Sequence, residues 1–266
     1  MSQRQLTRGT GETILEANDI VKTFGEIVAV DGCSFDIQEG AITGLIGPNG
    51  AGKSTMFNVI SGFLQPDSGE VLFRGTDITE DEPHEIANSG LVRTFQVTRD
   101  LEKMTVMENM MLTPKGQSGE KLRTALLGRG TIAKEDEKIQ SQALELLKLF
   151  ELDHLKNDLS GDLSGGQRKL LEMARILMMD PDVILLDEPM AGVNPTLENK
   201  LIRHIENLCE EEGITFVIVE HDVEMVVNLC DKIVVMNQGK DLAIGSPEEI
   251  KNDERVINAY IGGELE

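Results

Sequence analysis

This 266-residue sequence predicts an α/β fold with a helical segment inserted into it. Three observations carry that prediction. Short apolar, β-prone runs alternate with helix-periodic stretches toward both ends of the chain. A glycine-rich loop, Gly47-Pro48-Asn49-Gly50-Ala51-Gly52-Lys53-Ser54-Thr55, joins one such run to a helical pattern. Between about residues 96 and 181 the signal turns helical, and the alternation resumes at Asp182.

Taken in order, residues 13–46 read as four short strands: Thr13–Ala17, Ile27–Val30, Ser34–Ile37 and Ala41–Ile46. The Glu39-Gly40 pair turns the chain just before the last of them. Met56, Phe57, Val59 and Ile60 give the helix after the glycine loop its apolar face. Pro66-Asp67-Ser68-Gly69 is a turn that leads into a strand over Glu70–Arg74. In the inserted region, Ile139, Ala143, Leu146, Leu147 and Phe150 recur at helical spacing, with acidic residues before them suited to a helix start. Thr113–Thr131, rich in Gly, Lys and Ser, reads as a loop between helices. Val183–Leu186 is a buried strand, Pro195–Cys209 a helix, Ile214–Val219 a strand, Val223–Leu229 a helix and Lys232–Met236 a strand. A polar, acidic helix over about 253–266 closes the chain, and there is no internal repeat. The expected organisation is one domain, with an α/β core over about 13–95 and 182–252 and a helical subdomain over about 96–181.

The glycine loop fits G-x-x-x-x-G-K-[ST], a phosphate-binding P-loop, and stands between strand and helix as that motif requires. By composition, its fixed positions match by chance in about one per cent of chains this long. Glycines let successive N–H groups converge on an anion, and the helix adds its positive end. Lys53 is placed to bridge β- and γ-phosphates, and the Ser54 hydroxyl to sit on Mg²⁺. Val183-Ile184-Leu185-Leu186 then ends in Asp187-Glu188-Pro189, an apolar strand delivering two carboxylates. Asp187 is expected to hold Mg²⁺ through its water shell and Glu188 to polarise an attacking water. Leu163-Ser164-Gly165-Gly166-Gln167 opens a further helix and is a second device for meeting a phosphate. One nucleotide does not need two such devices from one subunit, so the second serves a nucleotide held mainly by another subunit.

Composition narrows the partners. The net charge of −22 repels nucleic acid, which argues against a helicase or repair role. Acidic clusters such as Glu80-Asp81-Glu82 and Glu210-Glu211-Glu212 are spread along the chain, as solvated faces or as an adaptation to a salty cytoplasm. Cys33, Cys209 and Cys230 lack paired spacing, which suits a reducing compartment without disulfides or zinc. Neither an apolar leader in MSQRQLTRGTGE nor a membrane-length apolar run is visible, so a soluble cytosolic protein is expected, meeting membranes only through a partner.

The order P-loop, LSGGQ, LLDEP and then a lone histidine in Ile218-Val219-Glu220-His221 resembles the ATP-binding subunit of an ABC transporter, over nearly the whole chain. That resemblance implies a P-loop ATPase core with an antiparallel β subdomain and an inserted helical subdomain. It implies ATP and Mg²⁺ as ligands, and a head-to-tail dimer in which Ser164, Gly165 and Gly166 reach the γ-phosphate of the opposing subunit. It makes His221 the histidine that contacts the γ-phosphate, and Gln96 the glutamine that reaches Mg²⁺ and the water. Phe24 becomes the aromatic stacked on adenine. Ala191-Gly192-Val193-Asn194-Pro195 has Asn194 where many such subunits carry aspartate. This loop, with Thr94-Phe95-Gln96, the insertion at 113–131 and the tail Val256–Gly262, resembles the ATPases of branched-chain amino acid importers. Urea and short-chain amide importers use near relatives.

Two functions follow from that resemblance. The first is the ATPase of an importer, docked with a sister ATPase, a homologous or identical copy, on integral-membrane permease subunits and served by a solute-binding protein. The second is a soluble ABC ATPase, such as an iron–sulfur cluster assembly subunit, which shares every nucleotide motif. Residues 97–111 discriminate, because they resemble the region that receives a permease's coupling helix. Met104, Met107 and Met111 suit either an adaptable docking groove or a plain buried helix face. The interval from Lys53 to Asp187 is too short for a long coiled-coil arm, and one set of motifs excludes a two-domain translation factor.

Overall fold

The computed structural model describes residues 11–94, 102–114 and 129–262. These divide into two compact units. One is built from the segments up to Arg93, Asp182–Gly192 and from Glu198 onward; the other from Thr94–Pro181 and Val193–Leu197.

The first unit holds two sheets. In the antiparallel one, β1 (Thr13–Phe24) pairs with β2 (Ile27–Gln38) on one side and β4 (Ser68–Phe73) on the other, and β5 (Thr76–Asp77) closes the edge. β1 and β2 are single long strands where the sequence suggests shorter ones broken by turns. Asp19 and Gly32, which fall outside those shorter strands, are of residue types that tolerate left-handed backbone. Here Asp19 (φ 49°) and Gly32 (φ 72°) do adopt it, but as irregularities within a ladder that continues on both sides.

The second sheet has the order β10-β9-β3-β8-β7-β6. β3 (Ile42–Ile46), β6 (Leu91–Arg93), β7 (Val183–Asp187), β8 (Thr215–Val219) and β9 (Lys232–Asn237) run parallel, and β10 (Lys240–Gly245) pairs antiparallel to β9. β3 and β8 are buried at every residue, as continuous apolar runs in a parallel sheet require. Helix α1 (Lys53–Ile60) follows β3 and buries Met56, Phe57, Val59 and Ile60 in a core shared with Leu15, Ile37 and Phe73 of the antiparallel sheet and Leu185, Val217 and Val234 of the parallel one. A short helix, α2 (Pro83–Ser89), leads into β6 and is closed at both ends by its own chain, with a Glu82/Glu85 capping box and Gly90 at its C-terminus.

The second unit is helical. It contains α3 (Val106–Met111), α4 (Arg129–Leu149) and α5 (Gly165–Leu177). The start of α4 at Arg129 corrects the expected loop, which ran to Thr131. α6 (Pro195–Glu212) and α7 (Val223–Leu229) flank β8 in the chain. The expected closing helix is α9 (Glu254–Gly262), and a further short helix, α8 (Pro247–Asn252), precedes it, with Asp253 in an extended conformation between the two. Among the described residues, no helix is long and apolar enough to cross a membrane.

Candidate nucleotide site

Parallel pairing brings the C-terminal ends of β3, β8, β7 and β6 to one sheet edge in that order, the position where open α/β sheets bind ligands. The glycine loop leaves β3. Gly47 has φ 151° and a Cβ there would strike the Met236 carbonyl oxygen, while Gly52 has φ 102° and a Cβ there would strike the Ala29 carbonyl. Both positions therefore exclude side chains on two counts. Gly52 is the N-cap of α1 and offers no side-chain cap, so the first N–H groups of α1 have no capping partner there. Lys53 is buried and folds back over the loop, its Nζ donating to the carbonyls of Gly47 (2.7 Å) and Pro48 (3.1 Å). Burial draws its ammonium below the ordinary lysine range, an effect that Glu188 and Asp187 oppose. Asn49, Gly50 and Ser54 are exposed, and Ala51 is tied by its carbonyl to the Gly239 N–H (3.0 Å).

β7 and β8 supply the acidic side. Asp187 ends β7, and its Oδ2 accepts from Arg93 Nη2 at 2.7 Å. Glu188 is a non-glycine residue in the left-handed region, φ 48°, and its N–H donates to Val219 O (2.9 Å). Its Oε1 lies 2.8 Å from Nε2 of His221, which follows β8. The histidine and the carboxylate expected to polarise water, read separately from the sequence, are thus one hydrogen-bonded pair. The buried Glu220 accepts from the Met190 N–H (2.8 Å) and ties the chain after β7 to the end of β8.

Sequence reasoning missed Arg93 and Glu220. Nothing local names a partner for either one, because those partners lie in other elements. A polar residue ending an apolar strand, as Arg93 does after Leu91-Val92, was the available hint.

The remaining described candidates belong to other elements. Phe24 ends β1 at the hairpin, 49% exposed, with Lys22 Nζ 5.9 Å from its ring centroid. Ser164 is the N-cap of α5 in a capping box: its hydroxyl accepts from the Gln167 N–H (3.3 Å), and Gln167 Oε1 accepts from the Ser164 N–H (2.9 Å). A Cβ on Gly165 would meet open space, and one on Gly166 would strike the Leu197 side chain. Asn194 accepts from the Leu197 N–H (3.0 Å), as a helix cap does. The buried residues of α3 are Val106, Asn109 and Met110, whereas Met104, Met107 and Met111 are half-buried. Gln96 and residues 97–101 lie outside the described residues.

A hard cation suits the oxygen donors of Ser54 and Asp187. Among the described residues no cluster of three or more His, Cys, Asp or Glu could hold a metal unaided. A cation here would have to take most of its shell from phosphate and water, which is the habit of Mg²⁺.

A glycine loop on β3, and a carboxylate pair on a parallel strand of the same sheet, define the class of P-loop nucleotide hydrolases. Residues 30–191 match the ABC transporter family, and residues 242–266 match the branched-chain amino acid ATP-binding cassette transporter family. The chain is 44% identical over 253 residues, 94% of its own length and 97% of the other's, to a probable branched-chain amino acid transport ATP-binding protein, LivG, of Methanocaldococcus jannaschii. A crystal structure of an ATP-binding cassette of an ABC transporter in its ADP conformation is similar at TM-score 0.81 and 41% identity, covering 94% of this chain and 99% of that one. A dimeric bacterial ABC transporter cassette is similar at TM-score 0.72 and 28% identity, covering 88% and 99%. The chain belongs to the ABC transporter family, as an ATP-binding subunit with ATPase activity.

Proposed function

We propose that this chain hydrolyses Mg²⁺–ATP to drive a branched-chain amino acid importer, as one of two ATPase subunits on the inner face of the cell membrane. The observation that carries the hydrolytic reading is the single sheet edge that holds Lys53, Asp187, Glu188 and His221. The names of the relatives and the match over residues 242–266 support the solute class.

Lys53 exchanges its carbonyl partners for the β- and γ-phosphates, and the loop N–H groups cradle them. Ser54 and Asp187, with Gln96, would hold Mg²⁺, which would supply neutralising charge to those phosphates. Glu188 polarises the attacking water, and His221 both orients Glu188 and reaches the γ-phosphate. Phe24 stacks on adenine. Ser164, Gly165, Gly166 and Gln167 meet the nucleotide of the neighbouring subunit, for which the open space at Gly165 leaves room. The half-buried Met107 and Met111 of α3 form the docking surface for a permease helix.

Co-sedimentation with permease-containing membranes tests the reading, comparing wild type with Met107→Glu. Wild type is expected to pellet and to gain ATPase activity; Met107→Glu is expected to stay in the supernatant while still binding nucleotide. Wild-type protein that ignores such membranes but joins a soluble assembly complex would overturn the importer reading and leave the cytosolic ATPase.

A further inference from the structure

Arg93 ends β6 and is nearly enclosed, with its side chain 12% exposed. Its guanidinium reaches three acceptors. Nη2 donates to Asp187 Oδ2 at 2.7 Å, and Nη1 donates to Asn58 Oδ1 at 2.7 Å and Ser61 Oγ at 3.2 Å. The same group lies 5.6 Å from the centroid of the Phe57 ring. Asn58 is on α1, four residues after Ser54, and Ser61 caps that helix three residues later. Residues at this spacing share a helix face. The face of α1 that presents the Ser54 hydroxyl therefore also holds the arginine that grips Asp187.

We propose that Arg93 is the positioning residue of the cation site: it fixes the Asp187 carboxylate to the Ser54 face of α1, so that the two oxygen donors, one on a helix and one on a strand, keep a constant separation. The planar fork of arginine suits this task, since it spans several acceptors in one geometry where an ammonium offers a single point charge. Asp187 and Arg93 are far apart in sequence, so no local preference fixes their geometry. This inference rests on the reading of the site as one for Mg²⁺ and nucleotide.

The test measures affinity for a fluorescent ADP analogue, once in excess EDTA and once with Mg²⁺. The ratio of the two values is the gain due to the cation. Partners that orient metal ligands typically control about 10- to 100-fold of metal affinity. Arg93→Ala is therefore expected to lose about tenfold or more of that gain, while its EDTA affinity stays within about twofold of wild type. Asn58→Ala leaves Arg93 and Asp187 in place but loosens the anchor, and is expected to lose a smaller part of the gain. Arg93→Lys is expected to fall between wild type and Arg93→Ala. Should Arg93→Ala fail to fold, Asn58→Ala and Arg93→Lys carry the same comparison. Variants that keep the whole wild-type gain would overturn the positioning role. A larger gain in Arg93→Ala would overturn it as well, since Arg93 would then be a competitor of the cation. Wild-type protein with no gain from Mg²⁺ would overturn the proposed function itself, and this inference with it.

Discussion

Glu188 joins two unusual features in one residue. A non-glycine side chain at φ 48° costs on the order of 1 kcal/mol or more, and it persists only where neighbours over-determine it. Here the neighbours are the Val219 carbonyl on its N–H and the His221 ring on its carboxylate. Glu188→Gln keeps a side chain that can still pair with His221 but cannot polarise water. It is expected to bind ATP normally, lose at least about 100-fold in turnover, and form an ATP-dependent dimer on size-exclusion chromatography. Near-normal steady-state ATPase activity in that variant would remove Glu188 from its role. Gly47 is the complementary case, where a side chain cannot be accepted. Gly47→Ala places a methyl group on the Met236 carbonyl and is expected to cost about 2 kcal/mol or more, seen as a lower thermal midpoint together with lost nucleotide binding.

Helix α5 is the element on which the second phosphate device depends. Its capping box uses both Ser164 and Gln167, so Ser164→Arg removes a cap worth about 1 kcal/mol as well as placing a cation where the proposed dimer would bring the neighbour's phosphate. That variant is expected to bind nucleotide in its own P-loop, show no stimulation in the assembled transporter, and melt a few degrees lower. Normal stimulation would show that α5 does not meet the neighbour's nucleotide. About two turns into the helix, burial pushes the Glu172 carboxyl up from 4.5 to about 7, and Lys169 and Arg175 only partly counter it. A carboxyl whose folded pKa is raised binds its proton more tightly in the folded state. Stability then falls as pH rises from the unfolded value, near 4.5, through about 7, and the loss is complete above that window. Glu172→Gln is expected to flatten this slope and to stabilise the protein at pH 8 by roughly 1–3 kcal/mol. Parallel denaturation curves for the two proteins at pH 5 and pH 8 would show whether the slope belongs to this side chain.

For the whole molecule the governing quantity is charge. With 47 acidic against 25 basic side chains, no arrangement can pair every carboxylate with a cation. The ion pairs that do form include Lys22–Asp67 (2.9 Å), Arg74–Asp182 (2.7 Å) and Lys232–Asp36 (2.8 Å), at surfaces where each contributes little. Self-repulsion among the rest weakens the compact state in dilute buffer. Raising potassium chloride from 0.1 to 1 M shortens the Debye length from about 10 Å to about 3 Å. The thermal midpoint is expected to rise over that range by several degrees, and a flat or falling midpoint in scanning calorimetry would count against adaptation to high salt.

What could be read from the sequence alone was whatever short-range geometry controls. The P-loop is legible because strand, glycines and helix start are consecutive, and each needs a backbone conformation that few residues adopt. Buried parallel strands such as Val183–Leu186 are legible for the same reason, their apolar runs being continuous. Where a local signal was ambiguous the tertiary structure decided: Asp31-Gly32 became an irregularity in β2 because β1 continued to pair beside it. The helix start at Arg129 was likewise beyond composition, since weak propensities yield to packing and capping. The site divides along the same line. Its residue types were visible, but their pairings were not. His221 and Glu188 are 33 residues apart, and Arg93 and Asp187 are 94 apart. They meet only because the sheet order β3-β8-β7-β6 sets their strand ends side by side, and that order is a property of the whole packed sheet rather than of any segment within it.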